Sequence, residues 1–236
     1  MKLALIGYGK MGKAVEKIAL TRGHTITLII CRENLDEFNA ANLDQCDVAI
    51  EFTNPENGLG NVVQLLEHGV KTVSGTTGWD ISIAKELCLK NKGAFIHATN
   101  FSLGVNLFFE VNDHLSRLMS KYADYDVSMK EIHHTSKKDA PSGTAITLAE
   151  ALLKNIKSKD HWVLGDSKND SELSITSERV DPAPGTHIIT YTSPIDEIEI
   201  SHTAKSREGF AYGAVLAAEW LADKHGCFTM KNVLFD

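Results

Sequence analysis

Short apolar runs alternate with helix-like stretches over the first part of the chain. Apolar runs bounded by polar or glycine-containing turns predict strands at residues 3–6, 25–30, 47–52, 70–74 and 94–98. Apolar residues recur at helical spacing before residue 20 and again over residues 58–68. Because strands alternate with helices, we expect an α/β fold whose βαβ units form a doubly wound parallel sheet up to about residue 103.

The pattern changes after residue 104. Helices are predicted at residues 105–119 and 145–153, with a strand at 125–132 between them. Residues rich in β-branched types then alternate with polar ones, between turns containing Pro, Gly and Asp, over 172–180, 186–192 and 195–202. We therefore expect a second, α+β domain with a mixed or antiparallel sheet. The polar residues 157–170 predict a loop, and residues 212–224 predict a last helix.

A glycine pattern marks the junction between the first strand and the first helix. The segment Gly7-Tyr8-Gly9-Lys10-Met11-Gly12 is G-x-G-x-x-G directly after a buried strand. In that position the first glycine permits a tight turn, the second lets the backbone approach a pyrophosphate, and the third lets helix and strand pack closely. The pattern predicts a dinucleotide site, and the alternative is a glycine-rich turn between ordinary elements.

Composition excludes several classes of protein. The 236 residues are 43% hydrophobic and 23% charged, with a net charge of −7, which is typical of a soluble globular protein and argues against generic nucleic-acid binding. The four cysteines have no C-x-x-C spacing, so we expect reduced thiols. No apolar run reaches the roughly 18 residues of a membrane span and no signal peptide is evident, so a cytoplasmic location is expected.

The densest group of reactive side chains lies just before the helix predicted at residue 145. It contains His133, His134, Lys137 and the helix-start residues Ser142 and Gly143. Histidine titrates near neutrality, lysine offers a mobile positive charge, and the first N–H groups of a helix can bind a carboxylate. These parts suit an anionic substrate that must be protonated. On composition alone, an exposed polar loop before an ordinary capped helix is an equal alternative.

The whole of this segment resembles the signature of the dihydrodipicolinate reductase family. The matching residues run from Glu131-Ile132-His133-His134 through Lys137 to Asp139-Ala140-Pro141-Ser142-Gly143-Thr144-Ala145. Further matches occur at the Gly75-Thr76-Thr77-Gly78 turn, at 100–106 and at 204–211. The resemblance implies a Rossmann-type domain formed by 1–103 plus 209–236, and a substrate-binding and oligomerisation domain at 104–208.

The resemblance also implies an activity. It is the NADPH- or NADH-dependent reduction of the cyclic imine formed from 4-hydroxy-tetrahydrodipicolinate, in lysine and diaminopimelate biosynthesis. His133 would be the acid/base residue and Lys137 the proton donor, while the substrate's carboxylates would be held by His134, Ser142, Gly143 and Thr144. Besides the glycine loop, the cofactor would contact Arg32, Phe52, Thr53, Gly75, Thr76, Thr77, Ala98, Thr99, Asn100 and Phe101. The resemblance further implies a homotetramer, and domain closure with hinges near Gly104 and Arg207.

Cofactor preference depends on the residues after the second predicted strand, Cys31-Arg32-Glu33. Cys31 stands where an acid usually binds the ribose of NAD, Arg32 suits the phosphate of NADP, and Glu33 suits free ribose hydroxyls. Arg32 is alternatively a solvated surface charge. We expect both cofactors to work, with a modest preference for NADPH.

No metal is expected. His133 and His134 are adjacent and would point to opposite sides of a strand. The remaining histidines are scattered in sequence and are interpreted as isolated: His24, His68, His97, His114, His161, His187, His202 and His225. Two other functions remain open at this point. One is a nicotinamide-dependent amino-acid or semialdehyde dehydrogenase, and the other is a dinucleotide-sensing protein without catalysis.

Overall fold

The structure, a computed structural model, describes residues 1–206 and 208–236, which form two compact units. The first unit comprises Met1–Leu103 and the described part of Arg207–Asp236, and the second comprises Gly104–Ser206. The hinge expected near Arg207 lies outside the described residues. In the part of the chain that is described, no helix is long and apolar enough to cross a membrane.

The first unit is built on a six-stranded parallel sheet with the order β11-β5-β4-β3-β1-β2. Its strands are β1 (Lys2–Ile6), β2 (Thr25–Ile30), β3 (Val48–Glu51), β4 (Lys71–Ser74), β5 (Ala94–His97) and β11 (Gly226–Phe228). Its helices are α1 (Lys10–Thr21), α2 (Ala40–Leu43), α3 (Pro55–Glu67), α4 (Ser82–Lys90), α7 (Glu208–Leu221) and α8 (Met230–Phe235), with a 3₁₀ turn at Leu35–Glu37. The chain moves outward from β1 in both directions, which places the point where the strand order reverses between β1 and β3.

The strands of this unit are continuous apolar runs because they lie in its core. All four residues of β3 are buried, because helices cover both faces of a parallel sheet. Helix α7 packs closely because its inner face is made of small residues. A Cβ on Gly213 would lie only 1.7 Å from the carbonyl oxygen of Phe101, so that position has room for glycine alone.

The second unit is a mixed five-stranded sheet with the order β10-β9-β6-β8-β7. Its strands are β6 (Asp126–His133), β7 (His161–Leu164), β8 (Glu172–Arg179), β9 (Thr186–Thr192) and β10 (Glu197–Thr203), and its helices are α5 (Leu103–Met119) and α6 (Gly143–Asn155). Alternate residues of β6 face the core, so Val127 and Met129 pack with apolar residues of α6 while Glu131 and His133 continue the same face. The buried face of β6 therefore changes from apolar to polar toward its carboxyl end.

The prediction of a loop at residues 157–170 is wrong for the middle of that segment. Residues 161–164 form β7, which pairs in parallel with β8 at the edge of the sheet. The sequence did not reveal this strand because the apolar run Trp162-Val163-Leu164 is too short to show a period. The sequence analysis also gave no strand at β11 and no helix at α8, which are similarly short elements.

Candidate active site

The carboxyl ends of the central strands of the first unit surround a cavity of about 670 Å³. The glycine turn after β1 lies at its base, with the segments after β2 and β3 on either side. Of the predicted cofactor-binding residues, those that line the cavity are Gly7, Tyr8, Gly9, Arg32, Phe52 and Thr53. The position of the cavity at the reversal of strand order is where α/β sheets bind ligands.

The glycine turn fits a dinucleotide because each glycine occupies a different environment. Gly7 has a φ of +94°, and a Cβ there would lie 2.1 Å from the carbonyl oxygen of Phe52. A Cβ on Gly12 would lie 2.2 Å from the carbonyl oxygen of Gly7, so Gly12 permits α1 to pack on the turn. A Cβ on Gly9, the N-cap of α1, would meet no protein atom within 4 Å. Gly9 is therefore not required by packing, and its bare backbone is open to an anion at the helix start.

This difference gives a paired prediction. Gly9→Ala should change the free energy of unfolding by no more than about 1 kcal/mol, the usual cost of alanine at a helix N-cap, but should weaken NADPH and NADH binding. Gly12→Ala should cost about 1–3 kcal/mol or more, because a new methyl group overlaps backbone that cannot move aside. Thermal unfolding and cofactor titration of both variants measure the two effects. The assignment is contradicted if Gly9→Ala binds cofactor normally, or if Gly12→Ala unfolds like the wild type.

Thr53 and Thr76 are held in place by a buried carboxylate that the sequence analysis did not select. Glu51 is fully buried at the end of β3 and accepts hydrogen bonds from Ser74 Oγ (2.6 Å), from Thr76 Oγ1 (2.6 Å) and from the Thr53 backbone N–H (3.0 Å) and hydroxyl. The Thr53 N–H also donates to Thr76 Oγ1 over 2.8 Å. A charged residue at the end of an otherwise apolar strand was the signal that could have identified Glu51.

The remaining predicted cofactor residues also follow strand ends, although they do not line this cavity. Gly75, Thr76 and Thr77 come after β4, while Ala98, Thr99, Asn100 and Phe101 come after β5. Phe101 is 2% exposed and packs edge-on against Phe52, with 5.8 Å between ring centroids. Its side chain is thus part of the core. Lys10 and Met11 lie in the first turn of α1.

The predicted substrate residues lie in the second unit, where β6 ends and α6 begins. His133 is the last residue of β6, and Gly143 is the first residue of α6. Ser142 is the N-cap of that helix, and its hydroxyl accepts a hydrogen bond from the Ala145 N–H over 3.1 Å. A Cβ on Gly143 would meet no protein atom within 4 Å, so its backbone N–H lies in an open part of the surface at the positive end of a helix.

Lys137 and His134 lie in the loop between these two elements. The Lys137 ammonium contacts both carboxylate oxygens of Asp139, each at 2.8 Å. The Nδ1 atom of His134 lies 2.7 Å from the hydroxyl oxygen of Ser136. Thr144 is the second residue of α6 and is partly buried. The structure thus brings His133, His134, Lys137 and the start of α6 into one unit.

His133 is buried beside a second carboxylate. Its Nδ1 atom lies 3.5 Å from Oε2 of Glu131, whose side chain is fully buried. Burial lowers the pKa of His133, while the Glu131 carboxylate opposes that change and Lys137 and Arg179 add to it. The imidazole is therefore mainly neutral near pH 7, and in that form it can accept a proton.

The interpretation of His187 as an isolated histidine is wrong. Its ring centroid lies 5.1 Å from that of His133, and its Nε2 atom lies 3.8 Å from Oε2 of Glu131. The reason is strand register, because Glu131 on β6 pairs directly with His187 on β9 across fifty-six residues of sequence, which no local pattern reveals. Burial lowers the pKa of His187 to about 4, so this ring stays uncharged.

One nitrogen of each ring and one oxygen of Glu131 lie within 4.8 Å of one another, which raises the question of a metal ion. The carboxylate already accepts hydrogen bonds from Ser142 and Ser177, and the guanidinium of Arg179 lies 3.4 Å from Oε1. A divalent cation would have to enter beside this fixed positive charge. We therefore do not assign these residues as metal ligands.

Comparisons with known proteins agree over the full length. Residues 1–101 match the model of the family "Dihydrodipicolinate reductase, N-terminus", and residues 104–234 match that of "Dihydrodipicolinate reductase, C-terminus". The chain is 48% identical over 238 residues to the 4-hydroxy-tetrahydrodipicolinate reductase of Christiangramia forsetii, covering 100% of this chain and 98% of the relative. It is 33% identical to the enzyme of that name from Archaeoglobus fulgidus, covering 99% and 100%.

A solved structure shares the fold. The dipicolinate-bound dihydrodipicolinate reductase from Paenisporosarcina sp. TG-14 aligns with a TM-score of 0.77, covering 97% of each chain at 20% sequence identity. The similarity extends over both units, and at this identity it bears on the fold alone.

Proposed function

This chain belongs to the dihydrodipicolinate reductase family, and from that premise we propose that it reduces 4-hydroxy-tetrahydrodipicolinate, through its dehydrated cyclic imine, to tetrahydrodipicolinate. It is an NAD(P)H-dependent oxidoreductase of lysine and diaminopimelate biosynthesis. The proposal for the individual residues rests on one observation: His133, the loop that carries Lys137 and the start of α6 all lie in one unit.

The first unit suits the cofactor. The open N–H groups at Gly9 favour a pyrophosphate, and the cavity beyond them is lined by Arg32 and Glu33 for the ribose end. Thr53 and Thr76 are fixed through Glu51 at the neighbouring strand ends. When bound, the reduced nicotinamide supplies the hydride for the imine.

The second unit supplies the polar chemistry. We assign one substrate carboxylate to the N–H at Gly143, where the helix dipole favours an anion, with Thr144, Ser142 and His134 as further binding residues. Hydride addition leaves negative charge on the substrate ring, so Lys137 donates a proton. His133 acts as the acid/base residue beside it.

We also propose an assembly and a location for the protein. We place the protein in the cytoplasm and expect a homotetramer formed through the second unit. The edge strand β10 supports this, because its residues alternate between exposed and only partly buried positions. A strand edge of this kind is available for pairing with another chain.

Loss of NADPH absorbance with freshly prepared 4-hydroxy-tetrahydrodipicolinate tests the proposed function. We expect turnover with this substrate, and none with simple 2-oxo acids plus ammonia or with semialdehydes. Oxidation of NADPH by a 2-oxo acid with ammonia, or by a semialdehyde, would instead favour another nicotinamide-dependent dehydrogenase. Tight cofactor binding without turnover of any of these compounds would favour a sensing protein.

Arg32 provides a prediction about cofactor preference. It is exposed and lines the cavity next to Glu33, with Cys31 in place of an acid that would repel a 2′-phosphate. Arg32→Ala should raise KM for NADPH roughly two- to tenfold with little change for NADH or in kcat, because an exposed charge pair contributes modestly. The effect should shrink as salt is raised. Lys90→Ala, which removes an exposed charge outside the cavity lining, is the control, and equal effects of Arg32→Ala on both cofactors would contradict the assignment.

A further inference from the structure

The feature of the second unit that the proposed function does not use is the buried carboxylate of Glu131. It lies on the core-facing side of β6, two residues before His133 on the same face. The Ser142 backbone N–H donates to both carboxylate oxygens, at 3.2 and 3.1 Å, and Ser177 Oγ donates to Oε1 over 2.9 Å. The carboxylate thus joins β6, β8 and the start of α6.

Arg179 extends this connection to the loop that carries Lys137. Its Nη2 atom lies 3.4 Å from Glu131 Oε1 and donates to the carbonyl oxygen of Asp139 over 2.6 Å. Its Nε atom donates to the carbonyl oxygen of Lys137 over 3.3 Å. A planar guanidinium can hold several acceptors at fixed angles, which a lysine in its place cannot do. The loop and the carboxylate are therefore held by one side chain.

The His133 ring is enclosed by the same group of residues. Its Nδ1 atom is buried and has no hydrogen-bond partner among the residues that the structure describes, although Glu131 Oε2 is 3.5 Å away. A Cβ on Gly185 would lie 3.1 Å from His133 Nε2, so the glycine leaves that edge of the ring uncovered by a side chain. When the ring takes up a second proton, Glu131 is positioned to accept from Nδ1 and to balance the charge.

We propose that Glu131 is a positioning residue, which fixes the His133 ring and the start of α6 in one arrangement and stabilises the protonated imidazole. The inference rests on the proposed function only in giving His133 a part in turnover. The Glu131 side chain is fully buried, and its carboxylate is approached by Ser142, Ser177, Arg179 and His133. A carboxylate exposed to water would not need such a set of partners.

The charge balance supports this role. The groups that face His133 are Glu131 from β6, His187 from β9, Arg179 from β8, and Lys137 and Asp139 from the loop after β6. Burial raises the pKa of Glu131, but hydrogen bonds from Ser142 and Ser177 lower it on balance, so the carboxylate is ionised. His187 stays neutral and does not compete with His133 for that negative charge. Glu131 therefore raises the pKa of His133 while burial, Lys137 and Arg179 lower it.

Glu131→Gln tests the proposal, because it keeps the shape of the side chain and removes its charge. The variant should lower kcat by about tenfold or more, with NADPH affinity unchanged. In NMR titration of the His133 ring, the midpoint should fall by about one to three pH units, the usual effect of losing an opposite charge at this distance. If the protonated ring is needed for turnover, activity is lost as pH rises through that midpoint, so this limb of the kcat profile should move to lower pH.

The matched control is Glu178→Gln. Glu178 lies on β8 beside Arg179, is partly exposed and pairs with Lys130 at 2.7 Å, outside the buried group. Glu178→Gln should leave both the midpoint of the His133 titration and kcat at wild-type values. A Glu131→Gln variant that behaves like this control overturns the proposal. The NMR result does not depend on turnover, so it remains decisive if the chain does not reduce the expected substrate.

A second variant covers the case in which Glu131→Gln does not fold. Glu131→Asp keeps the charge but is too short to reach both the Ser142 N–H and the region of His133. We expect a His133 midpoint near the wild-type value together with reduced kcat, and wild-type kcat would overturn the positioning role. Calorimetric titration with Zn²⁺ checks the metal alternative. Stoichiometric zinc binding that is lost in Glu131→Asp or Glu131→Gln would overturn the proposal, since the carboxylate would then be a ligand.

Discussion

Replacing His133 or Lys137 with alanine is expected to lower kcat by about 10²–10⁴, the usual contribution of a positioned acid or base. His133 is buried beside Glu131, and the Lys137 ammonium is held by Asp139. Neither side chain lines the dinucleotide cavity, so cofactor affinity should change far less than kcat. Steady-state kinetics together with fluorescence titration of NADPH measure the two quantities separately.

The chain offers matched controls for both substitutions. Lys138 is the exposed neighbour of Lys137, and His161 is an exposed histidine at the start of β7 in the same unit. Lys138→Ala and His161→Ala should retain near-normal kcat. If His133→Ala or Lys137→Ala does so as well, that residue has no part in proton transfer. Thermal unfolding of each variant excludes simple loss of the fold.

Several strands of both sheets could be predicted because their signals are local. The strands at residues 25–30 and 186–192 are found with the predicted bounds, since turn residues delimit each of them in the sequence. The alternation of strands and helices that determines the fold of the first unit likewise depends on neighbouring residues. Short strands such as β7 and β11 were not predicted, because three or four residues do not establish a period.

The group around Glu131 could be predicted only in part. Buried and partly exposed residues alternate along β6, so the spacing of Val127, Met129, Glu131 and His133 was available as a sign that both polar residues face inward. Nothing local indicated their partners, because His187 and Arg179 reach them through strand pairing over long sequence separations. Glu51 shows the same limit, since its acceptor role depends on the neighbouring strand β4.

Gly143→Val is expected to weaken binding of substrate, and of a dicarboxylate such as dipicolinate, by about ten- to a hundredfold. That range corresponds to losing one hydrogen bond to a charged group, about 1.5–3 kcal/mol. The carboxylate that we place at the Gly143 N–H must approach the first turn of α6 closely, and an isopropyl group there would stand in its path. A Cβ at this position meets no protein atom within 4 Å, so the variant should fold normally.

Calorimetric titration with dipicolinate measures the loss, and titration with NADPH should give the wild-type Kd because Gly143 lies outside the dinucleotide unit. Gly60→Val is the control, since Gly60 is also exposed in a helix and a Cβ there also meets no atom within 4 Å. It adds the same group to the first unit and should leave dipicolinate affinity unchanged. Unchanged dipicolinate affinity in Gly143→Val would remove the helix start from the substrate site. Equal weakening of dipicolinate and NADPH would instead indicate a general disturbance of the protein, because a blocked carboxylate site acts on the dicarboxylate alone.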